Sequence, residues 1–352
     1  MPWRQVAPGM ELLQDSIPMV TLAVAAAALY ARASSSLLRP GLPRLVALLP
    51  LFPFLAAAPL AFTSSAIVRG TAAFFIAWLC AFKVALLAAG RGPLDPALPA
   101  LTFVFTALLP VKLRRADGTA GASKAKPVSL VSCAVKVAVM AAVVHLYQFN
   151  DRLHLYARLA LYGVHMYCFL DLLLPCIAAA GGALGMEMEP QFDRPYLASS
   201  LRDFWGRRWN LMVSAILRPS VYDPVRALAG GPAAVLATFA VSGLMHEAMV
   251  SYLSLRWPPN GEMAAFFVLH GVCCVAEGWC ARRWTKSWWP ALPRAVATVL
   301  VGLFVAATSF WLFFPPLCKD GVEEKLLGEW AAVAAFFQDA GGKVPLYGQR
   351  SS

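Results

Sequence analysis

The run Ala237-Thr-Phe-Ala-Val-Ser-Gly-Leu-Met-His246-Glu247, inside an apolar segment from Ala233 to Arg256, decides the class of this chain. The segment is long enough to cross a hydrocarbon core, which takes about 20 residues of helix, yet it carries a titratable imidazole. A polar side chain in such a segment costs free energy unless it is paired or working. His246 therefore marks a functional site by default.

Outward from it, the same kind of run recurs at Ile17 to Leu38, Leu45 to Phe62, Thr71 to Gly90, Leu98 to Leu113, Val128 to Phe149, Leu153 to Ala180, Met263 to Ala281 and Leu292 to Phe314. Hydrophobic residues make up 59% of the chain and charged residues only 14%, with a mean hydropathy of +0.63, which excludes a soluble globular domain. The reading is an all-α, polytopic membrane protein with about seven to nine transmembrane helices. Pro99 and Pro110 bracket the short run at Leu98, and Pro50 and Pro53 are expected to kink the one at Leu45.

One integral domain spans 1–316 and a tail of mixed composition follows over 317–352. The stretch from Met1 to Asp15 is polar and acidic, without the basic region of a cleaved signal, so the first span is expected to remain as an anchor. Ala116 to Pro127, rich in Gly, Ala, Ser and Lys, reads as a flexible loop. Basic residues cluster at Lys112 to Lys126, at Arg194 to Arg208, and at Arg282, Arg283 and Lys286, which places those three loops in the cytosol. Arg39 and Arg44 fall on the opposite side if all nine runs cross.

The net charge of +11 sits in loops flanking the membrane, where anionic headgroups or an anionic co-substrate account for it, and not on a soluble face built for nucleic acid. The eight cysteines lie mostly inside spans without CxxC spacing or a Cys/His cluster, so they read as small apolar residues, neither disulfide-bonded nor metal-binding.

Between Gly185 and Gly231 the chain is too polar to span and too aromatic for a linker. From Tyr196 to Leu211 helical spacing puts Leu197, Leu201, Phe204, Trp205 and Trp209 on one face, with Arg202, Asp203, Arg207 and Arg208 elsewhere. Such a helix is expected to lie in the interface, aromatics in the lipid boundary. Signatures for zinc peptidases, nucleophile elbows, P-loops and dinucleotide folds are missing from the sequence, and His165 and Asp171 miss the His-x4-Asp spacing by one residue.

That leaves His246. An imidazole in a polar tunnel can take the proton from a hydroxyl as its oxygen attacks a thioester carbon, which is general-base chemistry; packing against a neighbouring span is the alternative. Asn210 follows the aromatic helix, and its amide can donate toward a developing oxyanion or simply cap a helix. Arg207, Arg208 and Arg218 can bind the phosphates of a coenzyme or anchor at headgroups. His145, His154 and His165 sit near span ends or beside Tyr, and His270 lies among apolar residues with no polar loop nearby.

Asp203-Phe-Trp-Gly-Arg-Arg-Trp-Asn210 followed by Ser242-Gly-Leu-Met-His246-Glu247 resembles the signature pair of the membrane-bound O-acyltransferase superfamily, more narrowly its plant wax synthase group, the long-chain-alcohol O-fatty-acyltransferases. Glu189-Pro-Gln-Phe-Asp-Arg-Pro-Tyr-Leu197, Leu217-Arg-Pro-Ser-Val-Tyr-Asp-Pro-Val-Arg226, and Phe82-Lys83 followed by Arg91-Gly-Pro-Leu-Asp95 fit it too, with the strongest motifs in 185–256. The resemblance implies a multi-helix fold with an internal acyl-transfer tunnel, His246 as base and Asn210 as its polar companion. Trp205, Arg207, Arg208, Trp209 and Arg218 would form the acyl-CoA entrance, and Ser242 and Glu247 would support the histidine.

The expectation is an acyl-CoA-dependent O-acyltransferase of the endoplasmic reticulum membrane, esterifying a long-chain alcohol by direct attack with no permanently bound cofactor and no metal. Its partners would be fatty acyl-CoA, the alcohol and membrane lipid. Two rivals stay open: the same chemistry on a sterol, and a transporter or lipid-binding protein in which His246 and Glu247 relay protons. The transporter predicts inverted repeats, which the sequence does not display.

Overall fold

The structure, a computed structural model, describes residues 7–111, 130–183, 185–186, 189–284 and 292–342. The basic cluster Lys112 to Lys126, the loop Ala116 to Pro127, Lys286 and the end of the carboxyl-terminal tail lie outside the described residues. All regular structure among those described is helical.

In chain order the helices are α1 Ala7–Leu37, α2 Leu42–Ala61, α3 Ala66–Ala88, α4 Ala100–Leu108, α5 Val131–Arg152, α6 Leu155–Ala183, α7 over 201–208, α8 Leu211–Ser254, α9 Glu262–Trp284, α10 Arg294–Phe313 and α11 Val322–Gly342. Eight of them, α1, α2, α3, α5, α6, α8, α9 and α10, contain a stretch long and apolar enough to cross a membrane. Two of these are interrupted, the first as expected: α2, with Pro50 and Pro53, is divided into short helical pieces. In α8, Gly230 at φ 82° and ψ 176° breaks the helix just before Pro232, so the crossing part begins close to Ala233.

The run from Leu98 to Leu113 does not cross. Its helix α4 has nine residues, about 14 Å of rise against a hydrocarbon core of about 30 Å. Instead it packs on α1, and its last turn is held by Lys83 of α3, whose Nζ donates to Thr106 O and Leu109 O, each at 2.6 Å.

Removing that crossing also relocates Arg39 and Arg44. The Gly41 N–H donates to Ala88 O at 2.8 Å, and Arg44 Nη1 donates to Leu87 O at 3.0 Å. The α1–α2 turn therefore lies at the same end as the 88–99 loop, from which only the short α4 separates the basic stretch 112–126. Counted over eight crossings instead of nine, Arg39 and Arg44 no longer fall opposite the other basic loops.

The amino-terminal helices bury a compact core in which Val20, Val24, Ala28 and Ala31 of α1 meet Leu48 and Leu55 of α2, Val84 and Leu87 of α3 and Phe103 of α4. Spacings of three and four residues along α1 present one stripe to that core. In the other half, α8 and α9 cross closely because of two glycines. A Cβ on Gly243 would stand 2.9 Å from Ala264 Cα, and one on Gly271 would stand 2.9 Å from Phe239 Cβ.

Candidate active site

A cavity of about 750 Å³ opens among α3, α6, α8, α9, α10, α11 and the segment 195–210. Its wall is mainly aromatic and aliphatic, and three helices widen into π turns where they meet it: 73–80 in α3, 204–208 in α7 and 309–313 at the end of α10. A π turn inserts an extra residue per turn and re-aims the side chains around it, a common device at functional sites. Phe74 and Phe75, Phe204 and Trp205, and Phe310 and Phe313 reach the cavity from those three turns.

His246 lines this cavity, two turns before the end of α8. Its Nδ1 lies 2.7 Å from Ser242 O, one turn back along the same helix. A carbonyl oxygen only accepts, so Nδ1 carries the proton and Nε2 carries the lone pair. No described residue hydrogen-bonds that Nε2. The ring is fixed by aromatics, with Phe267 at 4.1 Å, Trp78 edge-on at 5.2 Å and Phe313 at 6.2 Å between centroids.

Asn210 is both the cap and the cavity residue that the sequence left as alternatives. It stands in the left-handed region at φ 42° and ψ 64°, and its side chain accepts from Val213 N at 3.4 Å to begin the helix that follows. Asparagine tolerates this conformation better than most residues. Because Oδ1 is the capping acceptor, the amide's Nδ2 is its donor side, and the residue lines the same cavity as His246.

Trp205 and Trp209 face inward as well, which corrects the expectation that this aromatic face lies in lipid. Phe204 is buried and stacks on Trp209 at 5.4 Å. Trp205 donates its indole N–H to His270 Nδ1 at 3.0 Å, and His270 Nε2 in turn meets Thr308 Oγ1 at 2.9 Å. Since the indole can only donate, His270 is protonated on Nε2 and both of its nitrogens are engaged. His270 thus has the polar companions the sequence reading missed, and they make it a structural post.

The arginines separate. Arg207 is exposed and has no ion pair among the described residues. Arg208 donates from Nε to Asp203 at 2.7 Å and from Nη1 to Asp193 O at 3.0 Å, so it braces the loop. Burial disfavours the Asp203 carboxylate, but the Arg208 hydrogen bond, the Ser199 N–H and the charges of Arg208 and Arg207 outweigh it and hold that carboxyl below the usual carboxylate range. Arg218 is mostly exposed, 3.8 Å from Asp223, and neither it, Arg207 nor Arg208 lines the cavity.

Ser242 contributes its carbonyl to His246. Glu247 is buried and accepts from Ala264 N at 2.9 Å; it is outside the cavity wall and ties the start of α9 to α8. Glu277, not singled out by the sequence reading, accepts from Leu201 N and Arg202 N at 3.0 Å and pins the start of α7. A carboxylate inside an apolar span was the signal for it. The tail contributes too, because Leu326, Leu327 and Trp330 of α11 complete the cavity wall.

Among the described residues there is no grouping of His, Cys, Asp or Glu suited to a metal ion. Cys80, Cys168 and Cys274 are buried, whereas Cys176 and Cys280 are exposed.

A family model described as "Membrane bound O-acyl transferase family" matches residues 188–269, the stretch holding Asn210, His246 and Phe267. The chain is 40% identical over 308 residues, 84% of its length and 89% of the relative's, to "Probable long-chain-alcohol O-fatty-acyltransferase 1" of Arabidopsis thaliana. It is 37% identical over 313 residues, 85% and 88% of the two chains, to "Long-chain-alcohol O-fatty-acyltransferase" of Simmondsia chinensis. "Acyl-CoA--sterol O-acyltransferase 1" of Arabidopsis thaliana is 36% identical over 330 residues, covering 89% of this chain and 93% of that one.

Proposed function

Because the chain belongs to the membrane bound O-acyl transferase family, we propose that it is an acyl-CoA-dependent O-acyltransferase that joins a fatty acyl group to a long-chain alcohol and releases a wax ester and free coenzyme A. The observation that carries the reading is the pair of His246, with its lone pair on Nε2, and Asn210, whose amide Nδ2 has no partner among the described residues, on the wall of one apolar cavity.

The alcohol O–H donates to His246 Nε2. As its oxygen attacks the thioester carbon, the proton passes to the imidazole and the carbonyl oxygen becomes an oxyanion, toward which Asn210 Nδ2–H donates. Collapse breaks the carbon–sulfur bond, and the imidazolium returns its proton to the leaving sulfur, giving ester and thiol. Neither Ser nor Cys is needed as a covalent nucleophile, and burial of both chains in the cavity supplies proximity.

The coenzyme is anionic and stays in water, so it approaches from the face bearing 195–210, where Arg207 is exposed and has no ion pair among the described residues. We place the enzyme in the endoplasmic reticulum membrane, with lipid as the source of the alcohol and no cofactor held between turnovers. The likeness to a sterol acyltransferase over most of both chains supports a second acceptor class, since a sterol also presents one hydroxyl on an apolar body.

The deciding assay uses microsomes from a host lacking neutral-lipid acyltransferases, given labelled palmitoyl-CoA with hexadecanol or a sterol. Wax ester from the wild type and its loss in His246→Ala at matched expression are expected. Sterol ester alone moves the acceptor to the sterol, and equal product from both proteins removes His246 from the mechanism.

A further inference from the structure

The end of the cavity nearest the start of α6 is polar, which a tunnel for two hydrocarbon chains does not need. Tyr147, Tyr162, His165, Glu323 and Trp330 line it. Glu323 is only 8% exposed, and its Oε1 accepts from Asn150 Nδ2 at 3.2 Å and from Arg158 and Tyr162. Arg158 and Glu323 neutralise each other. This end therefore offers no free charge to a carboxylate or a phosphate.

His165 is different. It is 7% exposed, stacked on Tyr147 at 5.6 Å and set edge-on to Trp330 at 4.4 Å. The Tyr147 hydroxyl lies 2.9 Å from Nδ1, and Nε2 has no hydrogen-bond partner among the described residues. A buried ring nitrogen left unmatched inside a substrate cavity calls for a partner that arrives with the substrate.

The site is separate from His246, whose ring neighbours are Phe267, Trp78 and Phe313. Glu329, beside Trp330, caps α3 through Ser65 Oγ, Ala66 N and Ile67 N, and Arg69 of that same turn of α3 holds Tyr252 O and Leu253 O at the end of α8. Six residues back along α8, His246 is deeper by about 9 Å of helix rise.

We propose that this end is a second binding subsite, for a neutral hydroxyl carried by the lipid substrate away from the ester-forming oxygen, so that bifunctional chains are favoured over simple ones. The subsite rests on the esterification reading for its substrate class. Its hydroxyl has two sources, a long-chain diol as acceptor or a hydroxyacyl chain on the coenzyme.

The test compares kcat/KM for hexadecanol with that for α,ω-diols from octanediol to hexadecanediol, and palmitoyl-CoA with its ω-hydroxy analogue, in wild type, His165→Phe and Tyr147→Phe. The wild type favours one arm by about three- to tenfold, as one hydrogen bond allows, with an optimum at a particular diol length if the acceptor carries the group. In His165→Phe the ratio returns to about one; Tyr147→Phe, which leaves the imidazole in place, lowers it less. Each ratio is internal to one variant, so poor folding does not imitate the result.

Purified full-length protein in detergent gives the same comparison without turnover, as the shift in unfolding midpoint with the diol or ω-hydroxypalmitoyl-CoA against the matching simple lipid. Equal ratios or equal shifts in the wild type overturn the subsite, as does a preference that survives His165→Phe. Hexadecanol ester formation by itself reports on the esterification reading.

Discussion

The bundle of α1 to α4 and the half built around α8 to α10 occupy one membrane and put their most telling polar groups to different uses. In the first, Lys83 is wholly buried and Arg44 nearly so, and their donors go to backbone carbonyls: Thr106 and Leu109 for Lys83, Ser35, Leu38 and Leu87 for Arg44. The void left there is about 10 Å³. In the second, His246 and Asn210 line a cavity of about 750 Å³, and each uses one polar atom to fix its own orientation while another has no partner among the described residues. Lys83 and Arg44, which close the fold, spend their donors on carbonyls, and the two groups proposed for chemistry each hold one polar atom back.

If that contrast is right, substitutions in the two halves fail differently. The largest effect is expected at His246→Ala, a loss of about 10²- to 10⁴-fold in ester formation, the range of general-base catalysis, with the protein still inserted and folded. Asn210→Ala should cost about 10²- to 10³-fold if its amide meets the oxyanion, plus about 1 kcal/mol for the lost cap. Asn210→Asp separates the two roles. It keeps the capping oxygen and loses the donor, so recovered stability without recovered turnover is the expected outcome.

Lys83→Met should show the reverse pattern. Two carbonyls lose their donor at about 1–3 kcal/mol each, offset in part because a charged group no longer has to be desolvated. Folded yield and unfolding midpoint should drop while turnover per folded molecule stays within about twofold; a variant that folds normally but turns over poorly would erase the contrast. Thr308→Val lies between the two, leaving His270 Nε2–H unpaired for about 1–3 kcal/mol and loosening Trp205 at the cavity wall. A lower midpoint with a modest fall in kcat is expected.

Much of this was legible in the sequence, for reasons that differ by residue. Hydropathy finds spans because every backbone group in lipid must be bonded within its own helix, so length and apolarity are the governing variables, and eight runs obey them. It misjudged Leu98 to Leu113, where composition is right and the unbroken helix is too short; Lys83, which holds that helix in place, is fifteen residues upstream of Leu98. His246 was visible as an imidazole in an apolar run.

His270 gave the same local signal with the opposite outcome, because its partners, Trp205 and Thr308, are on other helices. The cap at Asn210 was foreseen as one of two alternatives, and only the cavity shows that they coexist. The contribution of α11 was invisible, since its mixed composition is what a helix packed against a membrane domain shares with a loose tail.

The smallest expected effects concern the arginines, and they sharpen the same comparison at the surface. Arg207→Ala should raise KM for acyl-CoA a few-fold with kcat kept, whereas Arg218→Ala, at an exposed and loosely paired site, should change either value little. Arg208→Ala should act on the fold through Asp203. The Asp203 carboxyl is held below its unfolded value of about 3.9, so the pair's stabilisation is complete above that pH and is lost as pH falls through the lower, folded value. From pH 5 to 8 the pair should contribute no pH dependence, in line with a bracing role. Unfolding midpoints of wild type and Asp203→Asn should therefore differ by a constant amount over that range and converge in more acid solution; a gap that varied between pH 6 and 8 would mean that Asp203 is coupled to another titrating group and does more than hold the loop.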